Sequence, residues 1–186
     1  MGLVFFYLVT FTSGTQIKKE EPKKPATKLE AFLATKGKLI IKEFYELGKV
    51  SGKYGSKIEL TALIMYEPGQ ENKKVRGLKI EITEGGRYEK TDSSFLDLEE
   101  IESLSSAIVY MISLSKKWKE EKRQYTETAF STQGDLSIGF YQQGNNQAAF
   151  STSGRIGKTK CYFTSMNGLV SVKTLADKGL ELLNKK

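Results

Sequence analysis

The chain has no histidine, one cysteine (Cys161), three prolines and four aspartates in 186 residues. Without histidine it lacks the commonest general base, the commonest metal ligand and the side chain that changes charge near neutrality. A single cysteine excludes an intrachain disulfide and a zinc site built from cysteines. So few prolines exclude collagen-like or polyproline architecture. Asp92, Asp97, Asp135 and Asp177 are scattered, and no EF-hand loop spacing joins them. What remains is globular: 39% apolar and 27% charged residues, in a length suited to one domain or one duplicated domain.

Long hydrophobic runs are also scarce. The longest, Leu3–Phe11, is well short of the roughly 20 residues that span a bilayer. With the small residues Thr12, Ser13 and Gly14 behind it, the run reads as the core of a secretory signal, although it lacks a basic start. Residues 1–14 are therefore expected to export the protein to a periplasm or the exterior. The competing reading is a buried, β-prone N-terminal strand in a cytoplasmic protein. Residues 15–37 carry six lysines, three glutamates and two prolines, the composition of a flexible linker. The net charge of +7 is thus partly a property of this tail, and the body, 38–186, has only a modest basic excess.

The body predicts an α+β domain of antiparallel sheet with two helices, in the order ββββα-ββββα. Strands are expected over 39–46, 58–66, 78–83 and, after Gly85-Gly86, over Arg87–Lys90. Ile58, Leu60, Ala62, Ile64 and Tyr66 alternate with Glu59, Thr61, Leu63 and Met65, so the second strand is apolar on both faces near its end. A helix follows Asp97, with Glu100 in capping-box spacing and a stripe of Leu98, Ile101, Leu104, Ile108 and Met111/Ile112. Strands over 124–131, 136–142, 147–152 and 159–164 come next. A last helix from Asn167 carries Leu169, Val172, Leu175/Ala176, Gly179 and Leu183. The halves, 38–118 and 119–186, repeat a pattern rather than a sequence; a single curved sheet closed by two helices is the other solution. Ala129-Phe-Ser-Thr-Gln-Gly134 echoes Ala149-Phe-Ser-Thr-Ser-Gly154, which predicts Phe130 and Phe150 on one sheet face.

Enzyme chemistry finds little support. Gly154-Arg-Ile-Gly157-Lys158-Thr159 has the end of a P-loop, but Thr152 stands where its first glycine is needed, and strand-like sequence follows. Glu43, Glu59, Glu81 and Asp135 fall at outward strand positions or turns, and no spacing pairs them. Cys161, between Lys160 and Tyr162, reads as a small buried hydrophobe. The sequence thus points to a non-enzymatic chain with no cofactor and no metal, acting on an unknown protein or polymer partner and with no transmembrane span. The uncharged stretch Tyr141-Gln-Gln-Gly-Asn-Asn-Gln147 has the composition of a binding loop. Tyr141, Gln142, Asn145 and Asn146 are the candidate partner-binding residues.

The ββββα-ββββα order, with Lys36-Gly37-Lys38 before the first strand, resembles the Whirly family of single-strand-binding domains, and the layout is similar to PUR-type domains. The resemblance implies nucleic-acid binding, which requires stacking aromatics beside cations. Trp118 among Lys116, Lys117, Lys119 and Arg123 is the candidate cluster for that alternative. Tyr45, Lys49 and Tyr54 form a lesser mixture, as do Arg87 and Tyr88. The plainer account of Trp118 is a cap on the core at the helix end, and of the lysines, charges that complement the negative end of the helix.

Overall fold

A computed structural model describes residues 25–154 and 158–186. The expected signal segment and residues 15–24 of the expected linker lie outside them, as do Arg155, Ile156 and Gly157. The described chain is an α+β fold of two antiparallel four-stranded sheets. The first contains β1 (Ile41–Ser51), β2 (Lys57–Tyr66), β3 (Val75–Glu84) and β4 (Lys90–Asp97), followed by helix α2 (Leu98–Trp118). The second contains β5 (Arg123–Ser131), β6 (Leu136–Gly144), β7 (Asn146–Ser153) and β8 (Thr159–Tyr162), followed by α3 (Asn167–Lys185). Strands neighbour one another in chain order in both sheets. Among the described residues, no helix is long and apolar enough to cross a membrane.

One hydrophobic core joins both sheets and both long helices. Ile58, Leu60 and Ile64 from β2, Ile80 and Ile82 from β3, and Ile138 and Phe140 from β6 meet Leu104 and Ile108 of α2 and Val172 and Leu183 of α3. Each such fully buried side chain stabilises the fold by about 1.5–3 kcal/mol. The helix stripes are those the 3.6-residue period selects: α2 buries Ile101, Leu104, Ile108 and Met111, and α3 buries Leu169, Val172, Ala176, Gly179 and Leu183. Gly179 lets α3 approach the first sheet, since a Cβ there would come within 2.7 Å of Leu47 and Leu78 side-chain atoms. Between the sheets, the buried Ser94 and Ser153 hydroxyls hydrogen-bond at 2.7 Å.

Three local expectations are corrected. The fourth strand begins at Lys90, where it pairs with Glu84, so 85–89 form the loop. Its polar start, Thr91-Asp-Ser-Ser94, masks the alternation, although Leu96 pairs with Leu78 and is fully buried. β1 runs on to Ser51 because the register shifts between Glu46 and Gly48; this bulge turns Leu47 into the core. Phe130 and Phe150 stand on opposite faces. Phe130 pairs with Ile138, which pairs with Ser151, while Phe150 pairs with Gly139. The sequence echo is therefore out of step with the ladder by one residue, which inverts the face.

The largest correction concerns the expected linker. Its last part folds as a third helix, α1 (Lys28–Leu33), with Thr27 as N-cap. Leu29 is fully buried beside Leu63 and Met65, with Phe32, Val75 and Phe95 around them. This small cluster covers the outward apolar end of β2. Gly77 makes room for it, since a Cβ there would sit 2.1 Å from the Leu96 carbonyl oxygen and 2.6 Å from the Leu29 side chain. Asp97 completes the arrangement. It precedes α2 as expected, but its carboxylate makes no cap bond to that helix. Instead it accepts from the Lys28 amide at 2.8 Å and the Leu29 amide at 3.3 Å, satisfying otherwise unpaired donors of α1.

Candidate functional site

In β6, residues 136, 138, 140 and 142 point into the core, and 137, 139 and 141 point outward. This alternation divides the expected binding group. Gln142 is fully buried, and its amide nitrogen donates to the carbonyls of Trp118, Glu121 and Gly144 at 3.0, 2.7 and 3.0 Å. Its oxygen accepts from Gln147 at 2.8 Å, and Gln147 also donates to the Ser115 carbonyl. Ser115 and Trp118 belong to the last turn of α2, where their carbonyls accept the Lys119 and Glu121 amides and the two glutamines add a second donor to each. Gln142 is therefore a cap that ties the end of α2 to the β6–β7 hairpin, and it is unavailable to a partner. Asn145 and Asn146 are exposed at the hairpin turn, where Gly144 takes φ 61°. Of the four residues, Tyr141 lies on the outward face of the second sheet, and Asn146, paired with Gln143, stands at the hairpin end of the same face.

The alternative cluster is also divided. The Trp118 ring packs on Phe140 at 5.1 Å, and the Arg123 guanidinium lies 4.7 Å from its centroid. Both partners are intramolecular, and Trp118 closes the end of the core. Lys116, Lys117 and Lys119 are left at the end of α2 with no open ring between them. Lys38 of the Lys36-Gly37-Lys38 stretch pairs with Glu67 at 2.6 Å. Tyr54 and Tyr88 are exposed but stand in loops. Cys161 is fully buried beside the Ser56 hydroxyl, and burial pushes its thiol pKa up. The segment after the P-loop-like stretch is strand β8, as its sequence predicts.

The second sheet brings together a different set. On its outward face Tyr125 of β5 stacks on Tyr141 of β6, with centroids 5.7 Å apart and planes 26° apart. Tyr141 meets Phe150 of β7 at 6.5 Å, and Phe150 pairs with Tyr162 of β8. One aromatic from each strand thus makes a row across the sheet. Lys158 and Lys160 join it to line a shallow depression of about 220 Å³. Tyr125 is 56% exposed and Tyr162 36%. The Tyr125 hydroxyl donates to the Glu127 carboxylate at 2.5 Å, and this bond holds its pKa above the ordinary 10.0. The phenol therefore stays a neutral donor fixed in orientation. Small residues open the face: Gly139 and Ala148 flank the row, and a Cβ on Gly139 would lie 2.1 Å from the Thr128 carbonyl oxygen.

Such a face can stack flat rings, donate hydrogen bonds and attract negative charge at one side. Among the described residues, no three metal-ligating side chains cluster. The sequence could have shown the row only through strand register, because Tyr125, Phe150 and Tyr162 are separated by many residues and each reads locally as a strand former. Comparison with protein-family models, with curated proteins and with solved structures gives no match. The class established is therefore structural: an α+β domain with two antiparallel sheets around one core.

Proposed function

We propose that the chain is a non-enzymatic binding domain, exported by its apolar N-terminal segment, and that the outward face of the second sheet holds its partner. The observation that carries this reading is the Tyr125–Tyr141 stack, continued by Phe150 and Tyr162 beside two lysines. A polymer of ring-shaped units bearing negative charge fits that chemistry. The test is titration against an anionic polysaccharide, a neutral polysaccharide and oligothymidylate, using the wild type and a Tyr125→Ala/Tyr141→Ala double variant. The anionic polysaccharide should bind the wild type, and loss of the stack should weaken binding at least about tenfold, given 1–3 kcal/mol for each stacked ring. Equal binding by both proteins, or none by either, would overturn the reading.

A second reading, single-stranded nucleic acid, is favoured by the same stack and by the ββββα-ββββα order. It makes a different quantitative demand. With Lys158 and Lys160 as the cations of the face, two neutralised phosphates give a slope of about −1.4, or about a sevenfold loss between 50 and 200 mM salt. Oligothymidylate binding with that shallow dependence, and none to the polysaccharides, would select the nucleic-acid reading.

A further inference from the structure

Among the described residues β1 ends the first sheet, with β2 as its one strand neighbour and a single bridge, Gly52–Phe163, just past its end, and at 11 residues it is long for an edge. Long edges invite pairing unless charge, proline or a bulge protects them. The bulge at Glu46/Gly48 interrupts only the second half. In the first half Phe44 is 58% exposed on the outward face, with Lys42 and Glu46 exposed on the same face two residues to either side. On the other face, Glu43 accepts a hydrogen bond from Tyr45.

We infer that β1 pairs antiparallel with β1 of a second copy about a two-fold axis through Phe44, joining the two first sheets into one. Opposed residues in an antiparallel pair share a face, so a two-fold axis must pass through a residue and not between two. Axes at Lys42 and Glu46 set two like charges directly opposite, and one at Ile41 pairs β1 with the residues that precede it, which leaves three axes in the unbulged stretch. An axis at Glu43 sets the two copies of that carboxylate against each other, which is unfavourable for like charges directly opposite. An axis at Tyr45 leaves Phe44 facing Glu46 and directs Lys42 at Gly48 in the bulge. The axis at Phe44 sets ring against ring, Lys42 against Glu46 twice and Glu43 against Tyr45 twice, all short of the bulge. The strand is self-complementary in charge and apolar character in that register alone. The interface is small, so association is concentration-dependent rather than obligate. It uses no residue of the aromatic face, and the two proposals stand or fall separately.

Sedimentation velocity on the full chain, up to about 1 mM, tests it. The wild type should show a reversible monomer–dimer equilibrium. Lys42→Glu and Glu46→Lys, each placing like charges opposite at two symmetric positions, should weaken the dimer at least about tenfold. The double exchange Lys42→Glu/Glu46→Lys should restore it. Both side chains are exposed, so circular dichroism and thermal midpoint should be unchanged in all three variants. A monomeric wild type at the highest concentration, or a dimer indifferent to the single reversals, would overturn the inference, and so would failure of the double exchange to restore it.

Discussion

The two sheets are built alike, four strands in chain order and then a helix, yet they treat their outward faces differently. In the first sheet one end is plugged by α1, with Leu29 seated against Leu63 and Met65, and the rest is tied by ion pairs such as Lys57–Glu59 and Lys79–Glu81. Among the described residues no helix covers the outward face of the second sheet, and a row of four aromatics stands there beside Lys158 and Lys160. The exposed rings Tyr125 and Tyr162 are grouped there, whereas Phe44 is a single exposed ring on the outward face of the first sheet, and the proposed binding role rests on that grouping.

The contrast breaks most readily at Leu29. If α1 is part of the fold and not a loose tail, Leu29→Ala should cost about 2–5 kcal/mol in urea unfolding, the range for truncating a fully buried leucine. A loss within about 0.5 kcal/mol would place α1 among surface features and make the two outward faces equivalent. The second sheet offers an inward test. Gln142→Leu removes the donors to Trp118, Glu121 and Gly144 and should cost about 1–3 kcal/mol. Asn145→Ser with Asn146→Ser, at the exposed turn three and four residues away, should stay within about 0.5 kcal/mol. Equal effects would mean that the hairpin tip, and not the buried amide, holds the end of α2.

The smallest effect sits between the halves. The Glu100 carboxylate of α2 accepts the Gln133 amide of the β5–β6 turn at 2.7 Å. Burial pushes its pKa above the ordinary 4.5, opposed by the amides of Gln133 and Asp97 and reinforced by the charges of Asp97 and Glu99. A raised folded-state value means that the folded protein holds this proton more tightly than the unfolded chain does. Its contribution is therefore greatest below the ordinary carboxylate range and is lost as pH rises through the window just above 4.5. Glu100→Gln should flatten stability against pH in that window, as measured by thermal midpoints; an unchanged slope would mean that the group is solvated.

Much of this architecture was legible in the sequence wherever a period ran uninterrupted. The stripe of α3 and the inward positions 136, 138 and 140 follow directly from spacing. Even the covered end of β2 was legible, since Leu63 and Met65 on its second face demand a partner. The partner was not, because Leu29 sits among lysines and glutamates whose composition resembles linker, and a six-residue helix has too few turns to show a period. Gln142 was misassigned for a related reason. A run of polar residues reads as a loop, although strict alternation from Leu136 through Ile138 and Phe140 carries inward to position 142. The aromatic row depends on which strands pair and in what register, information that no local window holds.

The Asp97 clasp has a mechanical consequence. Lys28 and Leu29 are held by a carboxylate that begins α2, 69 and 68 residues away in sequence. Tension applied to the chain from the N-terminal side of α1 meets that clasp and the Leu29 plug before it reaches β1. The load passes into α2 and into β4 at the opposite edge of the first sheet, and β1 is spared the unzipping force that would otherwise peel it from β2 one hydrogen bond at a time.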